Sequence, residues 1–387
     1  MYSIKTLDFS KDGFEKMKKY QYGLDWPVVY FLENGKEAYI GETIHLRNRS
    51  KEHYTKEERK KLHTVHIVTD EEYNKSAALD IESWLIQYIA ADGKFKLQNG
   101  NGGLKNHDYF DRERYRAKFE EGIWPQLQKM GLAKTDLLQL KNSDLFKYSP
   151  YKSLTEDQHE VVVALIEEIA GDGFTFLVHG KPGTGKTIIA VYLMKFLLED
   201  ARTKHLKVGL VVPMTSLRKT LKKVFRHVVG LKSTMVIGPA DVKKKEYDLL
   251  LVDETHRLRR RKNITNYASF DAMNKRHGLD NSGTELDWIQ AASNKQVYFY
   301  DAGQSVRPSD IRPNDFKNMQ AKEFTLETQL RVQGGEAYLK SIDQIFTSRT
   351  PDQTRFDDYD FKLYRDISQM VKDIKQKDEE FGLARGR

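Results

Sequence analysis

The chain contains no cysteine among its 387 residues. Disulfides, thiolate zinc sites and cysteine nucleophiles are therefore excluded, and a reducing compartment is expected. No segment approaches the roughly 20 uncharged apolar residues that a membrane-spanning helix requires. The opening segment, MYSIKTLDFSKDGFEKMKK, lacks the apolar run of a secretory signal. These absences predict a cytoplasmic protein, and a hydrophobic fraction of 39% is enough to form cores.

Basic residues outnumber acidic ones and give the chain a formal net charge of +8. Such a balance favours polyanionic partners, chiefly nucleic acid. The basic residues gather in three clusters, namely Arg218, Lys219, Lys222, Lys223 and Arg226, then residues 243–245, and then residues 257–262. Each cluster is equally compatible with a solvated helix face or loop. Nucleic acid is therefore the expected partner, but the sequence does not define the surface that would bind it.

The first 105 residues predict a small mixed α/β unit. Two β-rich segments surround Asn34-Gly35, a pair typical of hairpin turns because both central residues accept positive φ. A third strand is expected at residues 64–70, and residues 75–91 form an amphipathic pattern that ends near Gly93. Residues 1–25 read as a polar lead-in. Residues 106–150, rich in charge and aromatic rings, predict a helical connector rather than a flexible linker.

Residues 151–387 show a different pattern, in which apolar strands alternate with helices. Strands are expected at residues 175–180, 207–213, 247–254 and 296–302, with helices at 156–169, 186–200 and 216–229. This alternation predicts a parallel sheet covered by helices on both faces. The overall fold class is α/β, with the mixed unit preceding the parallel-sheet unit.

The segment GKPGTGKT at residues 180–187 fits the Walker A pattern of a P-loop. Its glycines allow backbone N–H groups to curl around phosphates, and the following helix points its positive end at them. In this pattern Lys186 reaches the terminal phosphates of ATP and the Thr187 hydroxyl binds Mg²⁺. The predicted ATP-binding residues of the loop are Gly180, Pro182, Gly183, Thr184, Gly185, Lys186 and Thr187.

The segment YDLLLVDE predicts the matching Walker B strand, which delivers carboxylates to the same site. We expect Asp253 to hold Mg²⁺ directly or through water, and Glu254 to orient and deprotonate the attacking water. Three weaker features fit a helicase-type motor. Gln158 is placed to read adenine, Asp301 and Gln304 to sense the γ-phosphate, and Arg331 to reach it from the domain edge. Each of these is equally compatible with an ordinary surface residue.

The ordered series LTEDQ, GKPGTGKT, VDETH, YDAGQS and LETQLRV resembles superfamily 1 helicase-type ATPases, and among them the Schlafen-like group 3 helicase domain. The resemblance covers about residues 150–387 and implies a RecA-like P-loop fold. A second motor lobe is not recognisable, since only about 55 residues follow Arg331. We therefore expect ATP binding with weak or no unwinding, from either a truncated form or an ATPase that does not unwind.

The N-terminal hairpin carries a second set of motifs, VVY at residues 28–30 and YIG at residues 39–41. Together with Arg49, His53, Glu82 and Asn99 downstream, their order resembles the GIY-YIG endonuclease family. In the first motif a valine stands where that family has glycine. Alternating tyrosines are also typical of cross-strand packing, and a single helical glutamate is commonly solvated.

The resemblance implies hydrolysis of a phosphodiester bond, with one role for each residue. Tyr30 would be the general base for water and Tyr39 would position the water or phosphate. Arg49 would stabilise the charged phosphate, because its charge is permanent and its fork matches phosphate oxygens. His53 would assist proton transfer, Glu82 would bind Mg²⁺ or Mn²⁺, and Asn99 would be structural or position the phosphate.

These features together predict a metal-dependent nuclease joined to an ATPase motor or switch, an architecture typical of DNA processing or genome defence. DNA is favoured over RNA by the resemblance alone, because contacts to phosphates do not read the sugar. Two alternatives remain open: an ATPase switch whose N-terminal unit only docks nucleic acid, and a DNA-stimulated ATPase that does not cut. The sequence leaves the oligomeric state open.

Overall fold

The computed structural model describes residues 2–100, 109–152, 154–243, 246–316, 319–327, 335–347, 362 and 364–381. Two β-sheets organise these residues, one in each predicted unit. The predicted α/β class with a parallel sheet in the second unit is confirmed. None of the described helices combines the length and the apolar character that crossing a bilayer requires.

The first sheet has five strands in the order β1-β4-β2-β3-β5. All its strand pairs are antiparallel except β3–β5. Helix α3 packs on one face of the sheet and helices α1 and α2 on the other. The elements are β1 (Ser3–Asp8), α1 (Lys11–Lys18), β2 (Val28–Glu33), β3 (Glu37–Thr43), α2 (Leu46–Tyr54), β4 (Thr64–Thr69), α3 (Lys75–Asp92) and β5 (Lys96–Leu97).

The prediction of a polar lead-in at residues 1–25 is wrong. Strand β1 pairs with β4 along its whole length, from Ser3 opposite Thr69 to Asp8 opposite Thr64. The next element, α1, is capped by the Ser10 hydroxyl, which accepts a hydrogen bond from the Gly13 N–H. Strand β1 lies at the edge of the sheet and no residue of it is fully buried. An exposed edge strand has little need of apolar side chains, and its sequence therefore resembles a loop.

The predicted hairpin is confirmed, with one difference at its turn. Gly35 has a φ of 81°, whereas Asn34 does not share the left-handed conformation. Instead, the Asn34 side-chain oxygen accepts hydrogen bonds from the backbone N–H groups of Lys36 and Glu37. The asparagine thus supplies an Asx-type turn, and only the glycine supplies the positive φ.

The predicted helical connector is confirmed as helical. It comprises α4 (Arg112–Ala117), a π-helical turn (Lys118–Ile123), α5 (Trp124–Lys129), α6 (Leu137–Asn142) and α7 (Asp144–Lys147). These helices pack into a core shared by both units. One buried apolar cluster includes Trp84 of α3, Phe119 and Trp124 of the connector, and Phe225 beyond it. The connector therefore joins the two units through a continuous hydrophobic core.

The second sheet has six strands, all parallel, in the order β11-β6-β10-β9-β7-β8. Alternate strand residues face two buried clusters, one shared with α8, α9 and α10 and the other with α11 and α12. The elements are α8 (Glu156–Ala170), β6 (Thr175–Gly180), α9 (Lys186–Glu199), β7 (Val208–Val211), α10 (Thr215–His227), β8 (Val236–Ile237), β9 (Tyr247–Val252), α11 (Tyr267–His277), α12 (Glu285–Ala292), β10 (Ser293–Tyr300), β11 (Lys322–Leu326), α13 (Gly335–Phe346) and α14 (Ile367–Phe381).

The predicted strands and helices of this unit are confirmed within a few residues. Sequence reasoning missed β8, β11, α11, α12, α13 and α14. Strand β8 has only two residues, too few for a detectable pattern, and β11 lies at the sheet edge with most of its residues exposed or half-buried. Because the sheet is parallel, the carboxyl ends of β6, β9 and β10 meet at one edge, where ligands bind in open α/β sheets.

Candidate functional site

The P-loop connects β6 to α9 at that edge of the sheet. Gly183 and Gly185 have φ values of 89° and 85°, a conformation that side chains rarely adopt. A Cβ atom on Gly180 would lie 2.5 Å from the Thr184 hydroxyl oxygen, so this position has no room for a side chain. The loop therefore has the compact backbone that brings several N–H groups toward one ligand.

The Lys186 ammonium lies inside the loop. It donates hydrogen bonds to the carbonyl oxygens of Gly180, at 2.5 Å, and Lys181, at 3.0 Å. It also lies 3.7 Å from an Asp301 carboxylate oxygen. Burial lowers the Lys186 pKa, and Asp301 opposes this effect. The loop carbonyl oxygens and Asp301 thus hold the Lys186 ammonium inside the loop. A phosphate bound in the loop would be able to replace them as partners of Lys186.

Asp253 follows β9 and is completely buried. Burial and the neighbouring Glu254 charge raise the pKa of Asp253 to about 7, while the Thr187 hydroxyl acts in the opposite direction. One carboxylate oxygen, Oδ2, has no hydrogen-bond partner among the described residues. A buried oxygen without a partner, next to a hydroxyl, fits the oxygen ligands that Mg²⁺ prefers.

Glu254 adopts the left-handed conformation, with a φ of 52°, which is unusual for a residue other than glycine. Its carboxylate lies 2.9 Å from the Nε2 atom of His256, a fully buried side chain. Burial is the largest single effect and raises the pKa of Glu254, but His256, Lys186 and Arg257 together outweigh it and the pKa is lowered. His256 is a site residue that sequence reasoning did not assign. Its position two residues after Glu254 was the only signal available.

The weaker motor motifs lie around the same loop. The Gln158 side chain donates a 2.8 Å hydrogen bond to the Thr184 carbonyl oxygen, and its own oxygen accepts from the Thr155 N–H. Gln304 donates a 2.7 Å hydrogen bond to Asp301, which in turn faces Lys186. Direct contact of Gln158 or Gln304 with ATP stays a prediction. Arg331 lies outside the described residues.

Comparison with known protein families identifies the family of the C-terminal half of the chain. The profile of the Schlafen group 3, DNA/RNA helicase domain matches residues 174–385, more than half of the chain. The chain belongs to this family. The predicted Schlafen resemblance is therefore confirmed for residues 174–385, and the segment carrying Gln158 precedes the matched residues. No curated protein sequence matches the chain.

Two solved structures show distant likenesses to this Schlafen-family chain. One is described as two coordinating Pif1 helicases unwinding forked double-stranded DNA, with 16% identity, a TM-score of 0.28, and coverage of 52% of this chain and 50% of that one. The other is DnaA from Aquifex aeolicus bound to AMPPCP, with 17% identity, a TM-score of 0.27, and coverage of 64% and 68%. The chain thus spans half the length of the Pif1 chain. At such TM-scores neither likeness bears on its fold or function.

The N-terminal unit holds a second cluster of polar residues, centred on Tyr30. The Tyr30 hydroxyl lies 2.7 Å from His53 Nε2, and both side chains are buried. A Cβ atom on Gly41 would lie 2.3 Å from the Tyr30 hydroxyl oxygen, so the glycine of the YIG motif makes room for this side chain. Burial raises the Tyr30 pKa well above its usual value and lowers the His53 pKa to about 3. The pair is therefore a neutral tyrosine and a neutral histidine. Because the Arg59 guanidinium donates to His53 Nδ1, the imidazole proton lies on Nε2, which donates to the Tyr30 hydroxyl oxygen.

Arg49, from α2, links this pair to an open cavity of about 380 Å³. Its guanidinium interacts with the Tyr30 hydroxyl and forms a 2.8 Å ion pair with Glu52. Glu82, from α3, approaches the same region from the other face of the sheet. Burial and the nearby Glu42 charge raise the Glu82 pKa to about 7, and Arg49 acts in the opposite direction. Tyr30, Arg49 and Glu82 thus form one electrostatic group.

Two residues of this cluster were missed by sequence reasoning. The Arg59 guanidinium lies 3.5 Å from the centre of the Tyr39 ring and is hydrogen-bonded to His53. Glu42 lines the open cavity and is held by Lys75 at 2.5 Å. Arg59 comes from the turn after α2 and Glu42 from the end of β3. Their sequence context resembles many other charged positions and gave no signal.

Asn99 lies away from this group. Its side-chain oxygen accepts from the Ile40 N–H at 3.1 Å, and its amide donates to the Ile40 carbonyl oxygen at 2.7 Å. These bonds continue the pairing of β5 with β3 past the end of β5. Of the two roles expected for Asn99, the observed contacts favour the structural one. Across the described residues, no three His, Asp or Glu side chains come close enough to hold a metal by themselves.

Proposed function

We propose that this chain is a metal-dependent endonuclease whose cutting is controlled by ATP in its helicase-like domain, with DNA as the favoured substrate. One observation carries the nuclease part. Arg49 from α2 lines an open cavity and is close enough to Tyr30 from β2 and to Glu82 from α3 to lower the pKa of both. Packing alone does not require a buried tyrosine hydroxyl, an arginine and a high-pKa carboxylate to lie within electrostatic range of one another. Such perturbed groups cluster at functional sites.

At the nuclease site, the Arg49 guanidinium would bind the scissile phosphate in the cavity. A phosphate oxygen would compete with Glu52 for Arg49 and draw the guanidinium away from Tyr30. The freed Tyr30 oxygen would take a proton from the attacking water as its own proton passes to His53 Nε2. This transfer needs the neutral imidazole with its proton on Nδ1, so Arg59 would first release that nitrogen. Tyr39, in contact with the His53 ring, would orient the pair.

Glu82 would hold the divalent cation, Mg²⁺ or Mn²⁺. The chemistry of the site fits this ion, since a half-buried carboxylate with a second carboxylate beside it, Glu42, is stabilised by a cation. With few protein ligands, the ion would keep several waters and bind phosphate oxygens, which is usual for Mg²⁺. The cation supplies charge at the phosphate where negative charge develops.

In the helicase-like domain, the P-loop would bind ATP with Mg²⁺. Lys186 would transfer its hydrogen bonds from the loop carbonyls to the terminal phosphates. Thr187 and Asp253 would hold Mg²⁺, and Glu254 would orient and deprotonate the attacking water. The close contact with His256 would fix the direction of the Glu254 carboxylate. Asp301 and Gln304 would report the loss of the γ-phosphate, because they contact Lys186 directly or through one another.

The rigid connection between the units supports control of cutting by ATP. The connector helices share one apolar core with both units. A change in the P-loop domain would therefore reach the nuclease unit through packed side chains rather than through a slack linker. We propose a role in DNA processing or genome defence for such a coupled pair.

A second candidate function is an ATPase switch whose N-terminal unit only docks nucleic acid. One observation favours it: the Tyr30 side chain is only 1% exposed, so its hydroxyl does not reach solvent in this conformation. In that case Arg49 and the cavity would bind a phosphate without cutting it.

A plasmid-nicking assay with Mg²⁺ or Mn²⁺ separates the two functions. The variants are Glu82→Gln and Arg49→Ala, with Glu52→Gln as the matched control because it removes the partner of Arg49 but leaves Arg49 in place. We expect both site variants to lower nicking at least about a hundredfold, on the scale of losing one group that stabilises transition-state charge. Unchanged nicking in both variants would refute the nuclease site. Binding without nicking by the unsubstituted chain would establish the docking function instead.

A further inference from the structure

The three basic clusters of the sequence differ in the structure. The third cluster, residues 257–262, is largely neutralised. Arg257 pairs with Asp310, Arg259 with the buried Glu285, and Arg261 with Asp271. A guanidinium already held by a carboxylate has little capacity for a phosphate. The second cluster falls partly outside the described residues.

The first cluster, on α10, keeps its charges available. Lys219, Lys223 and Arg226 are exposed and are spaced by four and three residues, so they form one stripe along the helix. Arg218, by contrast, turns inward and donates to the Val212 carbonyl oxygen at 2.7 Å. Within the described part of the chain, no carboxylate lies within ion-pair distance of the three stripe residues. The stripe is therefore a row of free positive charges.

The end of this stripe meets the N-terminal unit. A Cβ atom on Gly93, at the end of α3, would lie 3.4 Å from the His227 ring. Here a groove of about 460 Å³ opens between the two units, and its lining includes Arg226 and His227 on one side and Lys36, Lys94 and Lys96 on the other. The Lys96 N–H donates to the Lys36 carbonyl oxygen at 2.9 Å, so the β3–β5 pairing sets these two lysines side by side.

Acidic charge in the groove is small. Glu37 contributes to the lining, but its carboxylate accepts a 2.8 Å hydrogen bond from the Gln98 amide. Among the described residues, Lys36, Lys94 and Lys96 have no ion-pair partner. Four permanent positive charges, three from the nuclease unit and one from α10, thus converge with one carboxylate between them.

We propose that a nucleic-acid backbone lies in this groove, in contact with α10 of the helicase-like domain and with the β3–β5 edge of the N-terminal unit. Like charges brought together without counter-ions repel one another, and a polyanion that bridges both walls removes that repulsion. Strand β3 then leads from Glu37 in the groove to Glu42 and Thr43 in the lining of the nuclease cavity, about 20 Å at the usual rise per residue. The groove would thus guide the backbone toward the cavity. This inference rests on the proposed function only in its choice of nucleic acid as the polyanion.

The test is binding of fluorescein-labelled oligonucleotides to the full chain, measured by fluorescence anisotropy in EDTA so that nothing is cut. One variant removes positive charge from both walls of the groove and combines Lys94→Gln, Lys96→Gln and Arg226→Gln. The matched control removes three exposed lysines elsewhere, Lys129→Gln with Lys262→Gln and Lys275→Gln, and has the same net charge. DNA and RNA of the same sequence are compared, and thermal unfolding checks that each variant is folded.

We expect the groove variant to bind about tenfold more weakly or worse at 0.1 M salt, and its log–log salt slope to fall by about 2 for a single strand, as three lost phosphate contacts imply. The control should change affinity by less than about threefold. Equal affinity and slope in the groove variant would overturn the proposal, and so would an absence of nucleic-acid binding by the unsubstituted chain.

Single-wall variants sharpen the test. Lys94→Gln with Lys96→Gln, and Arg226→Gln alone, should each reduce the salt slope, because one backbone touches both walls. A reduction in the Arg226→Gln variant, with no change in the Lys94→Gln and Lys96→Gln variant, would place the nucleic acid on α10 only and refute the groove. Binding is measured without cutting, so an intact groove with no nicking activity would count against the nuclease and not against the groove.

Discussion

The two candidate sites contain similar chemical groups in different frameworks. Each has a carboxylate whose pKa is raised to about 7, Asp253 in one and Glu82 in the other, with a permanent or near-permanent cation close by. In the P-loop site these groups stand at the carboxyl ends of parallel strands, and the loop backbone itself forms the cradle. In the N-terminal site they come from both faces of a mostly antiparallel sheet and meet beside an open cavity.

This difference determines how far each site is visible in the sequence. A backbone cradle requires glycines at fixed offsets, so the P-loop is contiguous in the chain and nearly unambiguous. A cradle of side chains requires only that distant elements fold together, and Tyr30, Arg49 and Glu82 are separated by tens of residues. The P-loop site can therefore be recognised as a sequence motif, whereas the residues of the N-terminal candidate site are brought together only by packing.

The largest expected effect is at the backbone cradle. Lys186→Ala should lower ATP hydrolysis at least about a thousandfold, equivalent to about 4 kcal/mol of barrier, because the terminal phosphates lose their positive partner. Phosphate release is the measurement, and ATP-independent nicking is measured in parallel. Lys204→Ala, an exposed lysine just after α9 and away from the loop, is the control. ATP hydrolysis that survives Lys186→Ala would refute the P-loop assignment.

The side-chain cradle should be sensitive to a single methyl group. Gly41→Ala places a Cβ atom in collision with the Tyr30 hydroxyl, and we expect a loss of about 3 kcal/mol in the free energy of unfolding. Urea denaturation measures it. The control is Gly35→Asn, at a turn position with open space around it where asparagine tolerates the positive φ, and it should cost less than about 1 kcal/mol. Equal losses in both variants would show that Tyr30 does not need the space over Gly41.

Removing one oxygen separates packing from chemistry at the same site. Tyr30→Phe keeps the buried ring but removes the hydroxyl that bonds His53, and nicking should fall about a hundredfold, within the range typical of a general base. Tyr54→Phe, another tyrosine of the same core, should leave nicking unchanged. Nicking by Tyr30→Phe at the unsubstituted rate would remove Tyr30 from the mechanism while leaving the fold assignment intact.

The smallest expected effect is on the pH dependence of stability in the absence of metal. It is measured for the two carboxylates with raised pKa, Glu82 and Asp253. A carboxyl group whose pKa is raised on folding stabilises the folded state fully below its unfolded pKa, and this stabilisation is lost as the pH rises toward about 7. Relative to Glu82→Gln, the unsubstituted chain should therefore lose about 1–2 kcal/mol of stability between pH 5 and pH 8. Urea denaturation in EDTA at both pH values tests this.

Relative to Asp253→Asn, the unsubstituted chain should show a loss of the same sign in the same experiment, since burial raises the pKa of Asp253 in the same direction. The stability difference between the unsubstituted chain and Glu82→Gln would then be compared with the difference for Asp253→Asn. If the first does not change with pH while the second clearly does, Glu82 is solvated. The metal position in the N-terminal unit would then be lost, while the one in the P-loop site would remain.

Much of the fold was predictable because local patterns and tertiary packing agree. The hairpin at Gly35, the helix ending at Gly93, and the alternation of strands with helices after residue 151 all appear where expected. Two of the missed strands share one cause. Strand β1 and strand β11 lie at sheet edges, where exposed residues need not be apolar, so their sequences carry no strand signal.

The charged residues show the same limit more sharply. The sequence contains three basic clusters of similar composition. Yet Arg257, Arg259 and Arg261 are held in ion pairs, whereas none of the described carboxylates pairs with the stripe on α10. Pairing depends on which carboxylates the fold brings near, and those carboxylates, such as Glu285 and Asp310, are far away in the chain. Composition predicts that nucleic acid is a partner, but only the tertiary structure selects the surface.

By itself, the sequence determined the P-loop, its matching strand and the order of the two units, because those features depend on backbone conformation and on periodic burial. The tertiary structure decided the rest. It placed His256 against Glu254, Arg59 against Tyr39, Asn99 on the backbone of Ile40, and four cations in the groove between the units. Apart from His256, these contacts join residues whose separation in the chain does not set their distance in space, and the shared core of the connector brings the two walls of the groove together.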